Sequence, residues 1–171
     1  MAVVFLFAFA FSIRTSILIF FGRSTPPFSD FEWAHVSALG SEEYIPRYRI
    51  YPSWGFFSIL LKKLYDIVFP SYYVAQFFNA VLSSFSVALL YVIAYKVIKS
   101  KGIALIVGAF FALYPPNIFY TVILSPEFPA IFLVCLVILL VVYSFNHEIL
   151  YPVLLRVASW RPFFHVMAIP R

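Results

Sequence analysis

Acidic side chains are scarce in this chain, and two of them stand where a carboxylate could do chemistry. Of its seven acids, Asp30 falls in Pro26-Pro27-Phe28-Ser29-Asp30-Phe31-Glu32-Trp33 and Glu127 in Leu124-Ser125-Pro126-Glu127-Phe128-Pro129. Each context also reads as a helix start. Ser29 and Glu32 form an S-x-x-E capping box, with Asp30 in the first turn, where the helix dipole favours an anion. Ser125 can cap, Pro126 suits the first helical position, and Glu127 lies beside the positive end of the dipole. Capping accounts for Glu32 fully and for Asp30 only partly. Glu127 is the only acid between Asp66 and Glu148, at the rim of an apolar run, where carboxylates tend to face a cavity and mark a path or a site. For both acids the structural and the functional readings stay open.

Other chemistries find less support in the residues. His35, His147 and His165 are isolated, with no i, i+4 histidine pair of the kind that binds zinc. No glycine-rich G-x-G-x-x-G or Walker loop occurs, so a nucleotide site is unsupported. Cys135 is the single cysteine and lies inside an apolar run, which excludes an internal disulfide and a thiolate metal cluster. The net charge of +5 would point to nucleic acid in a soluble protein. Here the aromatic residues fit helix packing and interfacial belts better than base stacking, and no nucleic-acid partner is expected.

The elements that must carry these residues are set by composition. The chain is 64% hydrophobic and 11% charged over 171 residues, with a mean hydropathy of +0.97. A small soluble domain leaves too much of its surface in water to hide that much apolar area, so lipid must be the solvent for most of it. The expected fold is an all-α membrane protein of about four transmembrane helices, with interfacial helices in the first extracytoplasmic loop. Residues 72–95, 103–123 and 128–145 are long enough to cross a hydrocarbon core. Residues 2–21 make a fourth candidate, interrupted by Arg14. Either Arg14 faces a wet interior or the true helix begins upstream of Met1, and the second reading is the one we expect.

Orientation follows from the lysines. Lys96, Lys99 and Lys101 lie between two spans without an acid, which places that connection in the cytoplasm. Residues 1–21 are then the first span, 22–70 an extracytoplasmic loop with two interfacial helices, and 71–146 three further spans. Residues 147–171 form a basic cytoplasmic tail with Arg156, Arg161 and Arg171. The run 54–69 breaks this parity unless it stays on the outer surface. Its charges Lys62, Lys63 and Asp66 share one arc of a helix, with Phe57, Leu60, Leu61, Leu64 and Val68 on the other side, the pattern of an interfacial helix. The tail loses the transmembrane rhythm, as a truncated or frameshifted product would. The expected location is the plasma (inner) membrane, with the acids on its extracytoplasmic side and membrane lipid as the constant partner.

Taken together, the motifs resemble a known family. Leu113-Tyr114-Pro115-Pro116-Asn117-Ile118-Phe119-Tyr120, followed by Leu124-Ser125-Pro126-Glu127, looks like the Y-P-P-x-x-x-Y and (T/S)-x-E signature of polytopic GT-C glycosyltransferases. These are the family 39-like enzymes related to protein O-mannosyltransferases and aminoarabinose transferases. The order before it is also similar: S-D-F-x-W at Ser29 to Trp33, then Arg49-Ile50-Tyr51-Pro52-Ser53-Trp54-Gly55-Phe56, then a span of the Gln76-Phe77-Phe78-Asn79-Ala80 type. The likeness covers residues 13–143.

The resemblance implies transfer of a sugar from a polyprenyl-phosphate donor to an extracytoplasmic hydroxyl or amine. Asp30 then occupies the position of the catalytic carboxylate, which takes the acceptor's proton. Glu127 looks like the family's second acid and, with Asp30, could hold a divalent metal ion or position the acceptor. The departing phosphate needs positive charge, and Arg47 and Arg49 are candidates because a guanidinium binds two phosphate oxygens at once. Family members carry many further spans, and this chain stops after about four. A non-catalytic membrane subunit or transporter fragment, and a polysaccharide polymerase or ligase, are the alternative classes. Sugar, acceptor, metal identity and oligomeric state are not encoded in any motif.

Overall fold

The computed structural model describes residues 1–22, 29–40 and 52–146. Among these residues seven helices follow one another: α1 (Ala2–Phe21), α2 (Ser29–Ala38), α3 (Pro52–Ile67), α4 (Tyr72–Ile98), α5 (Lys101–Leu113), α6 (Pro115–Phe119) and α7 (Glu127–Asn146). No strand occurs among the described residues. Among the described residues three helices, α1, α4 and α7, are long and apolar enough to cross a membrane. The fourth, α5, is apolar but only 13 residues long, about 20 Å at 1.5 Å per residue against a hydrocarbon core of about 30 Å.

The expected span at 103–123 is therefore not one helix. Its break has a local cause. Pro115 and Pro116 supply no N–H to continue α5, and a residue before proline is pushed out of the α region. Tyr114 is accordingly extended, with φ −64° and ψ 113°. Pro115 then opens the short α6, where its fixed φ suits the first helical position. At the other end of α5 the chain reverses tightly. Lys99 closes α4 in the left-handed region at φ 60°, its N–H bonded to the Tyr95 carbonyl, and the Ser100 hydroxyl accepts the Ile103 N–H at 3.4 Å.

Ring contacts fix the helix directions. Phe7 lies against Phe85 at 4.6 Å and Phe11 against Phe77 at 5.6 Å between centroids, so α1 runs antiparallel to α4. Phe132 meets Phe85, and Tyr143 meets the Lys96 ammonium at 4.2 Å, so α7 runs parallel to α4. The C-terminus of α1 and the N-termini of α4 and α7 thus share one end of the bundle, here called the upper end.

Between α1, α4 and α5 the packing is close because small residues permit it. Ala104, Gly108 and Ala112 recur every four residues along α5 and are buried, a small-xxx-small face of the kind that lets helix backbones approach in lipid. A Cβ built on Gly108 would meet Leu6 at 2.7 Å and Tyr91 at 3.4 Å. The core there joins Leu6 and Ala10 of α1 to Val87, Tyr91 and Ala94 of α4.

A second cluster closes the upper end. Ala34 and Ala38 of α2 pack with Phe57, Leu61 and Tyr65 of α3, Ala75 of α4 and Leu124. Lys62, Lys63 and Asp66 are exposed, on the arc opposite that packing. Phe56, Ile59 and Ile67 are exposed as well, so the apolar surface of α3 is broader than the protein covers.

Candidate functional site

Arg14 does not interrupt α1. The helix runs through it unbroken, and the side chain turns inward, with 0% of its surface exposed. Of the two expected readings, the inward-facing one is what α1 shows, in a helix that is itself long and apolar enough to cross a membrane. The Arg14 Nε donates to Ser83 Oγ at 2.8 Å, and Nη1 donates to the Ala10 and Ala112 carbonyls at 3.1 and 3.4 Å. Ala112 is one residue from the C-terminus of α5, where carbonyls lack helical partners and the dipole is negative. Arg14 therefore supplies the cation that a helix ending at this depth requires.

From Arg14 a polar seam climbs to the upper end. Beyond the break, the chain from Tyr120 to Pro126 is irregular, and irregular backbone in an apolar setting must find partners for its amides and carbonyls. One face of α4 provides them. The Tyr72 hydroxyl accepts the Leu124 N–H at 3.3 Å, Gln76 Nε2 donates to the Val122 carbonyl, and Asn79 Nδ2 donates to the Ser125 carbonyl at 3.2 Å. With Ser83 on Arg14, residues 72, 76, 79 and 83 form one helical stripe. Asn117, Thr121 and Ser125 contribute further buried polar side chains. Five buried polar atoms of the seam have no protein partner among the described residues: Arg14 Nη2, Gln76 Oε1, Asn79 Oδ1, Asn117 Nδ2 and Ser125 Oγ.

The acids singled out from the sequence stand above this seam. Glu127 is the first residue of α7 and is exposed, two positions beyond the Ser125 carbonyl that Asn79 holds. Asp30 lies in the first turn of α2, and its side chain is outside the described residues, as are the capping contacts of Ser29. Arg47, Arg49, His147, His165 and the tail 147–171 lie outside them too. What the fold brings together is backbone: α2 and Leu124, three residues before Glu127, share the upper cluster. Among the described residues no three His, Cys, Asp or Glu side chains stand close enough to hold a metal ion.

No protein-family model, curated protein or solved structure matches this chain. Sequence reasoning passed over Gln76, Asn79 and Ser83 as chemistry. Their signal was polar residues three and four apart in a long apolar helix, which face the protein interior rather than lipid.

His35 is another residue with more to do than its isolation indicates. Its Nδ1 lies 2.7 Å from the Tyr65 hydroxyl, and its ring stands edge-on to Tyr65 and Tyr72, both at 5.6 Å. Burial pushes the His35 pKa below 6.5, opposed by the charge of Glu32 one turn earlier. Burial raises that of Tyr65, so the phenol keeps its proton, and the direction of its hydrogen bond to the neutral imidazole follows the imidazole tautomer. A depressed histidine value means that the undocked form binds protons first. Docking of α2 is then at full strength above pH 6.5 and weakens as pH falls from there towards the lower docked value. Protection of the α2 amides, taken relative to the intrinsic exchange rate at each pH, should fall as pH drops below about 6.5, and a His35→Gln chain should lose that dependence.

Proposed function

We propose that this chain is part of a membrane glycosyl-transfer machinery of the GT-C kind, moving a sugar from a polyprenyl-phosphate carrier to an acceptor on the outer side. The observation that carries the reading is the convergence at the upper end: the helix bearing Asp30 and the turn leading to Glu127 are packed in one apolar cluster, although 97 residues of sequence numbering separate the two acids. In this reading Asp30 accepts the proton of the acceptor hydroxyl or amine as its oxygen or nitrogen bonds to the anomeric carbon. The bond from that carbon to the phosphate oxygen breaks, with inversion, and the lipid phosphate leaves as an anion. Arg47 and Arg49 receive that charge, and Glu127 orients the acceptor. The polar stripe of α4 supports the geometry by holding Val122, Leu124 and Ser125, and hence the start of α7.

The direct test reconstitutes the chain in vesicles with two donors. Transfer from a labelled polyprenyl-phosphate monosaccharide supports the proposal. Use of a polyprenyl-diphosphate oligosaccharide alone moves the chain to the polymerase class, and use of neither leaves a non-catalytic membrane subunit, the reading favoured by the exposed position of Glu127.

The proposed orientation in the plasma membrane has its own check. The lower end carries Lys96, packed over Tyr143, with Lys99 and Lys101 exposed beside it, as a cytoplasmic face requires. In a Cys135→Ser background, a cysteine replacing Glu32 should react with an impermeant thiol reagent in intact cells, and one replacing Ser100 should not. Labelling confined to position 100 would reverse the orientation.

A further inference from the structure

We infer that the break between α5 and α6 is an inlet for a small oxyanion, with Arg14 as its binding group. The inference rests on the seam alone and is independent of transfer chemistry at Asp30.

A guanidinium carries five N–H donors and keeps its charge at any physiological pH. Nε and Nη1 of Arg14 are engaged by Ser83, Ala10 and Ala112, all neutral acceptors, while Nη2 is buried without a partner and no carboxylate among the described residues is paired with the side chain. The α5 dipole answers only part of that charge, since a helix terminus is worth about half an elementary charge. A buried cation left with two free donors and half its charge unanswered is a site for an anion with at least two oxygens, bound in the bidentate manner guanidinium favours. The other unpartnered atoms fit the rest of such a ligand and its water. Asn117 Nδ2 is a second free donor, Ser125 Oγ both donates and accepts, and Gln76 Oε1 and Asn79 Oδ1 accept. A purely structural arginine would be expected to have all its donors satisfied. Asn117 belongs to α6, which follows the break and packs on α1 and α5. The ligand chemistry is that of a phosphate oxyanion, free or at the head of a lipid.

The test uses the full chain in phosphatidylcholine vesicles, with Cys135→Ser and Asn117→Cys. The cysteine should react about tenfold faster with an anionic methanethiosulfonate than with a cationic one, the lower bound expected of a cation focused in an apolar cleft. Arg14→Gln should abolish that preference and Arg14→Lys should retain it, with gel filtration confirming that each variant is folded. Inorganic phosphate should slow the anionic reagent if the ligand is free oxyanion. Phosphatidic acid in the vesicles should slow it, with inorganic phosphate inert, if the ligand is a lipid headgroup. Absence of reaction, equal rates for the two reagents, a preference that survives Arg14→Gln, or indifference to both phosphates each overturns the inference.

Discussion

An Asp30→Asn chain should lose transfer by about 10²- to 10⁴-fold, the range that removal of a general base produces, while its folded and inserted fraction stays that of the parent. The force of this expectation lies in the two roles one carboxylate can play at a helix start. If Asp30 only answers the dipole of α2, asparagine is nearly neutral, because the interaction of a charge with an exposed helix end is worth about 1 kcal/mol or less and asparagine serves a helix start as well as aspartate. A base tolerates no such exchange, since a neutral amide cannot take the acceptor's proton. The measurement is initial rate with a polyprenyl-phosphate sugar, set beside helical content by circular dichroism. Full activity with unchanged folding would leave Asp30 a cap. Glu127→Gln should act more weakly, raising the acceptor concentration needed for half-maximal rate, since an exposed residue that orients a ligand contributes binding more than chemistry.

Much of the fold is written in the apolar runs. Helices α1, α4 and α7 emerge close to their hydrophobic boundaries, because about 20 apolar residues without a break have no other stable home than a crossing helix. The α3 pattern was equally legible, since three charges on one arc oppose the residues that pack. Less legible was what happens inside a run. Mean hydropathy over 103–123 gives no weight to Pro115 and Pro116, yet those two residues divide the segment because they remove donors and exclude the preceding residue from the helix. The setting of Arg14 was hidden for a related reason. A charge in an apolar stretch is expensive only until a partner is found, and the partners, Ser83 and the Ala112 carbonyl, lie on other helices about 70 and 100 residues away in sequence. Gln76 and Asn79 belong to the same class, polar because of an irregular turn some 46 residues downstream. Local reading cannot supply such pairings, and it erred at Ser125 as well: α7 begins at Glu127, close to the expected start, but the buried Ser125 hydroxyl has no hydrogen-bond partner and does not cap it.

The upper cluster allows an equally sharp expectation for stability. Phe57 is 1% exposed and is packed among Ala34, Ala38, Ala75 and Leu124, so truncation removes the largest apolar side chain that joins α2 and α3 to the bundle. Phenylalanine-to-alanine changes in well-packed sites cost about 3–5 kcal/mol. Small neighbours such as alanines cannot collapse far into the space, which keeps the cost from falling below that range. At 1.4 kcal/mol per factor of ten, even the lower end multiplies the undocked population of α2 about 100-fold. The readout is the labelling rate of a cysteine at Ala34, buried in the docked state, in a Cys135→Ser background. Phe57→Ala should raise that rate by the stated factor, and Ile59→Ala, at a position 62% exposed on the same helix, should leave it unchanged. The bundle below is expected to persist, because its own core of Leu6, Ala10, Val87, Tyr91 and Ala104 shares no residue with the upper cluster. A Phe57→Ala chain whose Ala34 site reacts no faster than the parent would mean that α2 is held by His35 and Tyr65 rather than by apolar packing, and the His35→Gln variant would then carry the large effect instead.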